Sequence, residues 1–156
     1  MSTYLNQNQF TQTPVLGQVD FTVSPNIKSV KINPSSVATV LQSGQAFKIV
    51  DVAGPEIIVD VAAITDVAYG VAIYNPKKNL FTAGQTIELG CVGTVIYLEA
   101  SAAIARGAGV ALDPTGPTVA TVDTATQATI GECLDKPTAA ATLARIEIRP
   151  SSIVTS

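Results

Sequence analysis

A glycine-centred unit recurs along this chain and constrains its fold more than any other feature. Ser43-Gly44-Gln45 leads into Ala46-Phe47-Lys48-Ile49-Val50-Asp51, Ala83-Gly84-Gln85 into Thr86-Ile87-Glu88-Leu89, and Arg106-Gly107-Ala108 into Gly109-Val110-Ala111-Leu112-Asp113. Each reads as a turn followed by a strand, because glycine adopts the positive φ of a tight connection without a Cβ clash. A second echo runs beside the first: Tyr69-Gly70-Val71-Ala72 follows the Gly44 unit much as Ile130-Gly131-Glu132-Cys133 follows the Gly107 unit. Gly44, Gly70, Gly84, Gly107 and Gly131 are therefore expected at the turns of an internally duplicated, all-β scaffold. Short strands between such turns suit a sandwich or a small β-barrel.

The strand pattern between the turns supports this class. Ile87, Leu89 and Cys91 alternate with Thr86, Glu88 and Gly90, and Ala144, Ile146 and Ile148 alternate with Arg145, Glu147 and Arg149 before Pro150 is expected to end the strand. Further strands are expected at 56–61, 67–74, 94–99, 118–122 and 128–134. Helical periodicity is nearly absent. Only the alanine-rich stretch 99–106 suits a short helical turn before Gly107, and it equally suits an irregular connection.

Three segments are expected. Residues 1–36 are polar and interrupted by Pro14, Pro25 and Pro34, which reads as an extended N-terminal arm; 37–149 form the β-barrel body, and 150–156 a C-terminal tail. The arm nevertheless carries Tyr4, Phe10 and Phe21, three of the eight aromatic residues in the chain, in a stretch unable to build a core of its own. These rings either insert into a partner, with the arm bound in a groove or as an added strand, or fold back over the barrel to cover a sheet edge.

With 156 residues the chain suits one domain. Its 47% hydrophobic content excludes a wholly disordered chain, and only 13% of residues are charged, which suits a protein that packs against neighbours. A net charge of −3 and the lack of a basic cluster beyond Lys77-Lys78 argue against nucleic acid as a partner. No export signal and no membrane-spanning apolar run is evident, so synthesis in the cytoplasm is expected. Cys91 and Cys133 are then expected as buried free thiols.

Candidate chemistry is sparse. There is no histidine, hence no imidazole for a Ser/His/Asp or Cys/His arrangement and no His-based metal site. Asp51 and Asp60 flank the turn at Ala53-Gly54-Pro55, but a carboxylate pair on strands lacks the closely spaced oxygens of a calcium loop. Gly107-Ala108-Gly109 has no following helix and no Lys-Ser/Thr, so it reads as a β-turn rather than a phosphate cradle. No enzyme activity, metal or cofactor is expected.

The succession Leu41-Gln42-Ser43-Gly44-Gln45-Ala46-Phe47, Ala68-Tyr69-Gly70-Val71-Ala72, Ala83-Gly84-Gln85 through Gly93, Ala105-Arg106-Gly107 and Thr129-Ile130-Gly131-Glu132 resembles the small capsid decoration, or head cement, proteins of tailed bacteriophages. The likeness spans 41–149 and lies in the order of the motifs. It implies a β-barrel or β-tulip that assembles as a homotrimer on the outer surface of an icosahedral head and cements neighbouring major capsid subunits. Tyr4, Leu5, Phe10 and Phe21 would then be arm anchors that bind the partner. A tail-tube, baseplate or fibre component uses the same kind of scaffold, and a carbohydrate-binding module is a more distant alternative, since the chain has no Trp and few aromatics.

Overall fold

The computed structural model describes residues 14–78, 80–113, 118–121 and 126–151. These contain ten strands: β1 (Ile27–Ile32), β2 (Ala46–Ala53), β3 (Glu56–Val61), β4 (Gly70–Ala72), β5 (Thr86–Gly90), β6 (Val95–Ala100), β7 (Gly109–Leu112), β8 (Thr118–Thr121), β9 (Thr129–Cys133) and β10 (Thr142–Ser151). The all-β class is borne out, and there is no helix among the described residues; 101–105 is an irregular connection.

The strands close into two five-stranded barrels rather than one, in the orders β1-β3-β2-β4-β5 and β6-β8-β7-β9-β10, the ends of each joined by β1–β5 and β6–β10 pairing. The two have one topology. In each, the first strand runs parallel to the third, and every other pairing is antiparallel. The duplication suggested by the glycine units is thus a duplication of a whole barrel. Closure leaves neither sheet with a bare outer edge.

Alternation sorts the side chains. Phe47, Val59, Ile32 and Leu89 fill the first barrel together with Val30, Ala72 and Ile87. Ile96, Leu98, Val110, Ile130, Ile146 and Ile148 fill the second. Ala46, Ala62, Ala68 and Val71 of the first barrel join that second cluster, so the two barrels share an apolar seam. Small residues allow the close approach: a Cβ on Gly90 would stand 2.4 Å from the Cδ1 of Ile96.

Two expectations are corrected by this architecture. β1 lies within the segment read as arm, because Pro25 and Pro34 flank Ile27-Lys28-Ser29-Val30-Lys31-Ile32 without interrupting it, and Val30 and Ile32 are buried. β10 also runs through Pro150 to Ser151, with a register shift between Ile148 and Ser151 that accommodates a residue lacking an N–H.

Candidate functional site

The turns come first, because they fix which surfaces are presented. Gly17, Gly44, Gly84, Gly93 and Gly107 have φ between 82° and 91°, and each stands third in a tight four-residue turn. This is the position of a type II turn that demands positive φ. Three of these turns share a further lock that the Gly-Gln dipeptides foreshadow. The backbone N–H groups of Val15, Gln42 and Thr82 each donate to the Oε1 of the glutamine three residues on, Gln18, Gln45 and Gln85, at 3.1 Å in every case. In the second barrel, Ala141 takes the place of Gly84 before the last strand and adopts φ 62°.

Gly70 and Gly131 are not turn residues. Both sit inside strands, β4 and β9, at matching places in the two barrels. A Cβ on Gly70 would lie 2.7 Å from the carbonyl oxygen of Gly90, and one on Gly131 would lie 2.1 Å from that of Glu147. Glycine is required there by close backbone approach to the fifth strand of each barrel.

Of the four expected arm anchors, Tyr4, Leu5 and Phe10 lie outside the described residues. Phe21 is 72% exposed. The segment that carries it is pinned along β6: Val19 bridges Ile96, the Gly17 N–H donates to the Tyr97 carbonyl at 2.8 Å, and the Asp20 N–H donates to that of Val95 at 2.9 Å. Asn26 N–H closes the stretch on Thr94 Oγ1 at 2.8 Å.

Asp20 anchors the turn beneath Phe21. Its Oδ1 accepts from Thr22 N at 3.0 Å and Thr22 Oγ1 at 2.7 Å, while its Oδ2 meets Arg145 Nη1 at 3.4 Å. Arg145 is itself held by Asp135 through Nη2 at 2.8 Å and Nε at 3.1 Å. Burial pulls the Asp20 carboxyl up, but the hydrogen bonds from Thr22 and Arg145 together outweigh it and leave the group below its ordinary range. The Arg145 hydrogen bond likewise lowers Asp135. Phe21, Val23 and Val92 thus project from a firmly held surface.

A second apolar surface lies on the β2–β3 hairpin, where Ile49, Val50 and Val52 are exposed. The turn at Gly54 and Pro55 joins the two strands there.

Catalytic constellations are absent among the described residues. No three His, Cys, Asp or Glu side chains gather for a metal. Asp60 is occupied by Ser36 Oγ at 2.7 Å and Asn33 Nδ2 at 3.4 Å, and Asp51 accepts from the Val52 N–H at 2.8 Å. Cys91 and Cys133 are free and buried, and burial raises both thiols. A hollow beside β5 is lined by Tyr74, Phe81, Ile87 and Glu88, but Phe81 is buried, so it offers no stack of open rings for a sugar.

No protein-family model matches this chain, and no curated protein matches it. Among solved structures, the chain is similar to the N base of the head fiber gp8.5 of bacteriophage phi29, with a TM-score of 0.53 and 12% sequence identity, over 84% of this chain and 99% of that one. The shared property is the fold.

Proposed function

We propose that this chain is a structural protein of a tailed-phage particle, fixed to the outside of the head, with no turnover of its own. The observation that carries the reading is the likeness of nearly all of a phage head fiber base to most of this chain. The order of glycine units, resembling capsid decoration proteins, supports it independently. A scaffold of two closed barrels with exposed apolar side chains on its turns and hairpin suits a static binding role.

In the cement form of this reading, a homotrimer touches several major capsid subunits at once, and each added contact raises the effective concentration of the next. Tyr4, Leu5, Phe10 and Phe21 are the proposed anchors to the shell. Phe21 suits the role because its ring is open to solvent while Asp20 and Arg145 hold its base. Neither nucleic acid nor membrane is a partner in this reading.

A fibre base is the second form, favoured by the head fiber likeness. There the chain is the foot of a projecting appendage rather than a clamp between subunits. Deleting residues 1–13 together with Phe21→Ser tests the anchors shared by both: Val19 and Asp20 stay in place on the second barrel, so the variant is expected to remain folded and to lose binding to purified heads. Undiminished head binding would overturn the assignment of the anchors.

A further inference from the structure

Each barrel closes on a first strand that is only partly covered. The parallel pairing reaches β1 at Lys31 and Ile32 alone, and β6 at Glu99 and Ala100 alone. In both barrels the first half of that strand is therefore paired on one side only, to β5 or to β10. In the second barrel an extended stretch of this chain fills the gap. Val19 bridges Ile96 in antiparallel fashion, the Asp20 N–H donates to the Val95 carbonyl, and the Tyr97 N–H donates to the Gln18 carbonyl at 2.9 Å. In the first barrel nothing among the described residues does the same.

Ile27 and Ser29 hold the places of Val95 and Tyr97, each counted back from the first parallel partner, Lys31 or Glu99. Ile27 is 37% exposed and Val95 1%. Ser29 is exposed and Tyr97 half-buried. The backbone of β1 is turned to accept a strand there. The Ile32 N–H donates to the Gln85 carbonyl and the Asn26 carbonyl accepts from the Cys91 N–H, so even-numbered residues address β5. The Asn33 N–H donates to the Val59 carbonyl, so odd-numbered residues address the opposite side. Ile27 and Ser29 thus aim their N–H and C=O groups into the gap, and antiparallel pairing would satisfy them.

The N-terminal residues of the same molecule are within reach. Residues 15–18 form a tight turn closed by the Gln18 N–H on the Val15 carbonyl at 3.0 Å, so the chain enters at Pro14 from the side toward which 18–20 run. That side leads to β1, because Asp20 lies beside Val95 and the adjoining Thr94 holds the Asn26 N–H. At about 3.3 Å per residue and about 5 Å between strands, Gly17 lies about 20 Å from Ile27, whereas residues 1–13 span up to about 43 Å. Residues 1–13 contain no proline, glycine or charged side chain, and Thr3, Tyr4, Phe10, Thr11 and Thr13 among them favour a strand.

We propose that residues 1–13 add a strand antiparallel to β1 of the same molecule at 27–29, as residues 17–20 do on β6. Backbone groups make the contact, and alternation leaves every second side chain of the added strand facing outward, available to a partner. The inference does not rest on attachment to a head.

Residue-resolved amide hydrogen exchange on the full-length protein and on a variant lacking residues 1–13 tests it. In the full-length protein the Ile27 and Ser29 amides are expected to exchange at least about tenfold more slowly than in the truncated one. The Lys28 and Val30 amides face β5 and should stay equally protected in both. Ser29→Pro removes one donor from the gap and none from the β5 ladder, and chymotrypsin is expected to cut this variant after Tyr4 and Phe10 faster than the wild type. Equal exchange at Ile27 and Ser29 in the two proteins overturns the proposal. Protection that disappears on dilution overturns it too, because it assigns the strand to a second copy. Where truncation loosens all of β1, cleavage of Ser29→Pro decides instead, and an unchanged rate overturns the proposal.

Discussion

Asp135 and Arg145 form the tightest charged pair in the second barrel: the carboxylate accepts from Nη2 at 2.8 Å, from Nε at 3.1 Å and from the Arg145 backbone N–H at 2.8 Å. Arg145 then reaches across to Asp20 at 3.4 Å and fastens the segment that carries Phe21 to the barrel. A planar guanidinium can serve both carboxylates at once.

The pair makes stability depend on acid. Asp135 and Asp20 have folded-state pKa values below the ordinary carboxylate value. Their contribution is therefore complete above the unfolded value, about 4, and is lost as pH falls through the lowered folded values. Arg145 is raised further and stays charged throughout. Arg145→Met is expected to destabilise the protein by about 1–2 kcal/mol at neutral pH, a modest figure because the pair is partly exposed. Thermal melts should show that gap closing as the pH is lowered to about 2.

Gly131 and Gly54 separate close packing from backbone strain. Gly131→Ala places a methyl group against the Glu147 carbonyl and is expected to cost about 3 kcal/mol or to prevent folding. Gly54 has φ 64° and open space around it, so Gly54→Ala should cost only about 1 kcal/mol. Urea titration of the two variants measures the difference.

The glutamine locks at Gln45 and Gln85 should act as neighbours. Gln45→Ala and Gln85→Ala each leave one turn N–H without its side-chain acceptor. Each is expected to lose about 1 kcal/mol, and the double variant to depart from the sum, since the two turns are joined by the Gln42–Leu80 bridge and by the Phe81 N–H on the Leu41 carbonyl at 2.7 Å. Chemical denaturation of the single and double variants checks both the size and the additivity.

Cys91 and Cys133 should behave as packing residues. Both are buried with raised thiol pKa values, so they should resist a thiol reagent in the native state and react together on unfolding. Rapid native labelling of either would show that its barrel opens locally.

How much of this was legible in the sequence depended on the range of the contact involved. The turns at Gly44, Gly84 and Gly107 were readable because a positive φ is a local demand, as were the buried faces of β5 and β10 because alternation is local too. Gly70 and Gly131 looked the same in sequence but answer to the carbonyls of Gly90 and Glu147, on strands whose register no local signal gives. β1 was hidden by its flanking prolines, and its place depends on pairing with β5 and β3. Phe21 was recognisable as an aromatic without a local core, whereas the open half of β1 was not. Ile27 and Ser29 read as ordinary residues of an arm until the matching half of β6 is seen to be covered by residues 17–20.

The proposed attachment to a phage head is tested most directly by quantitative mass spectrometry that counts this protein against the major shell protein in purified particles of the phage to which the proposal assigns it. The account predicts a firmly bound component: close to shell stoichiometry for a cement, or a smaller fixed number for a fibre base, removed when the head surface is stripped. Its absence from purified particles would contradict the account.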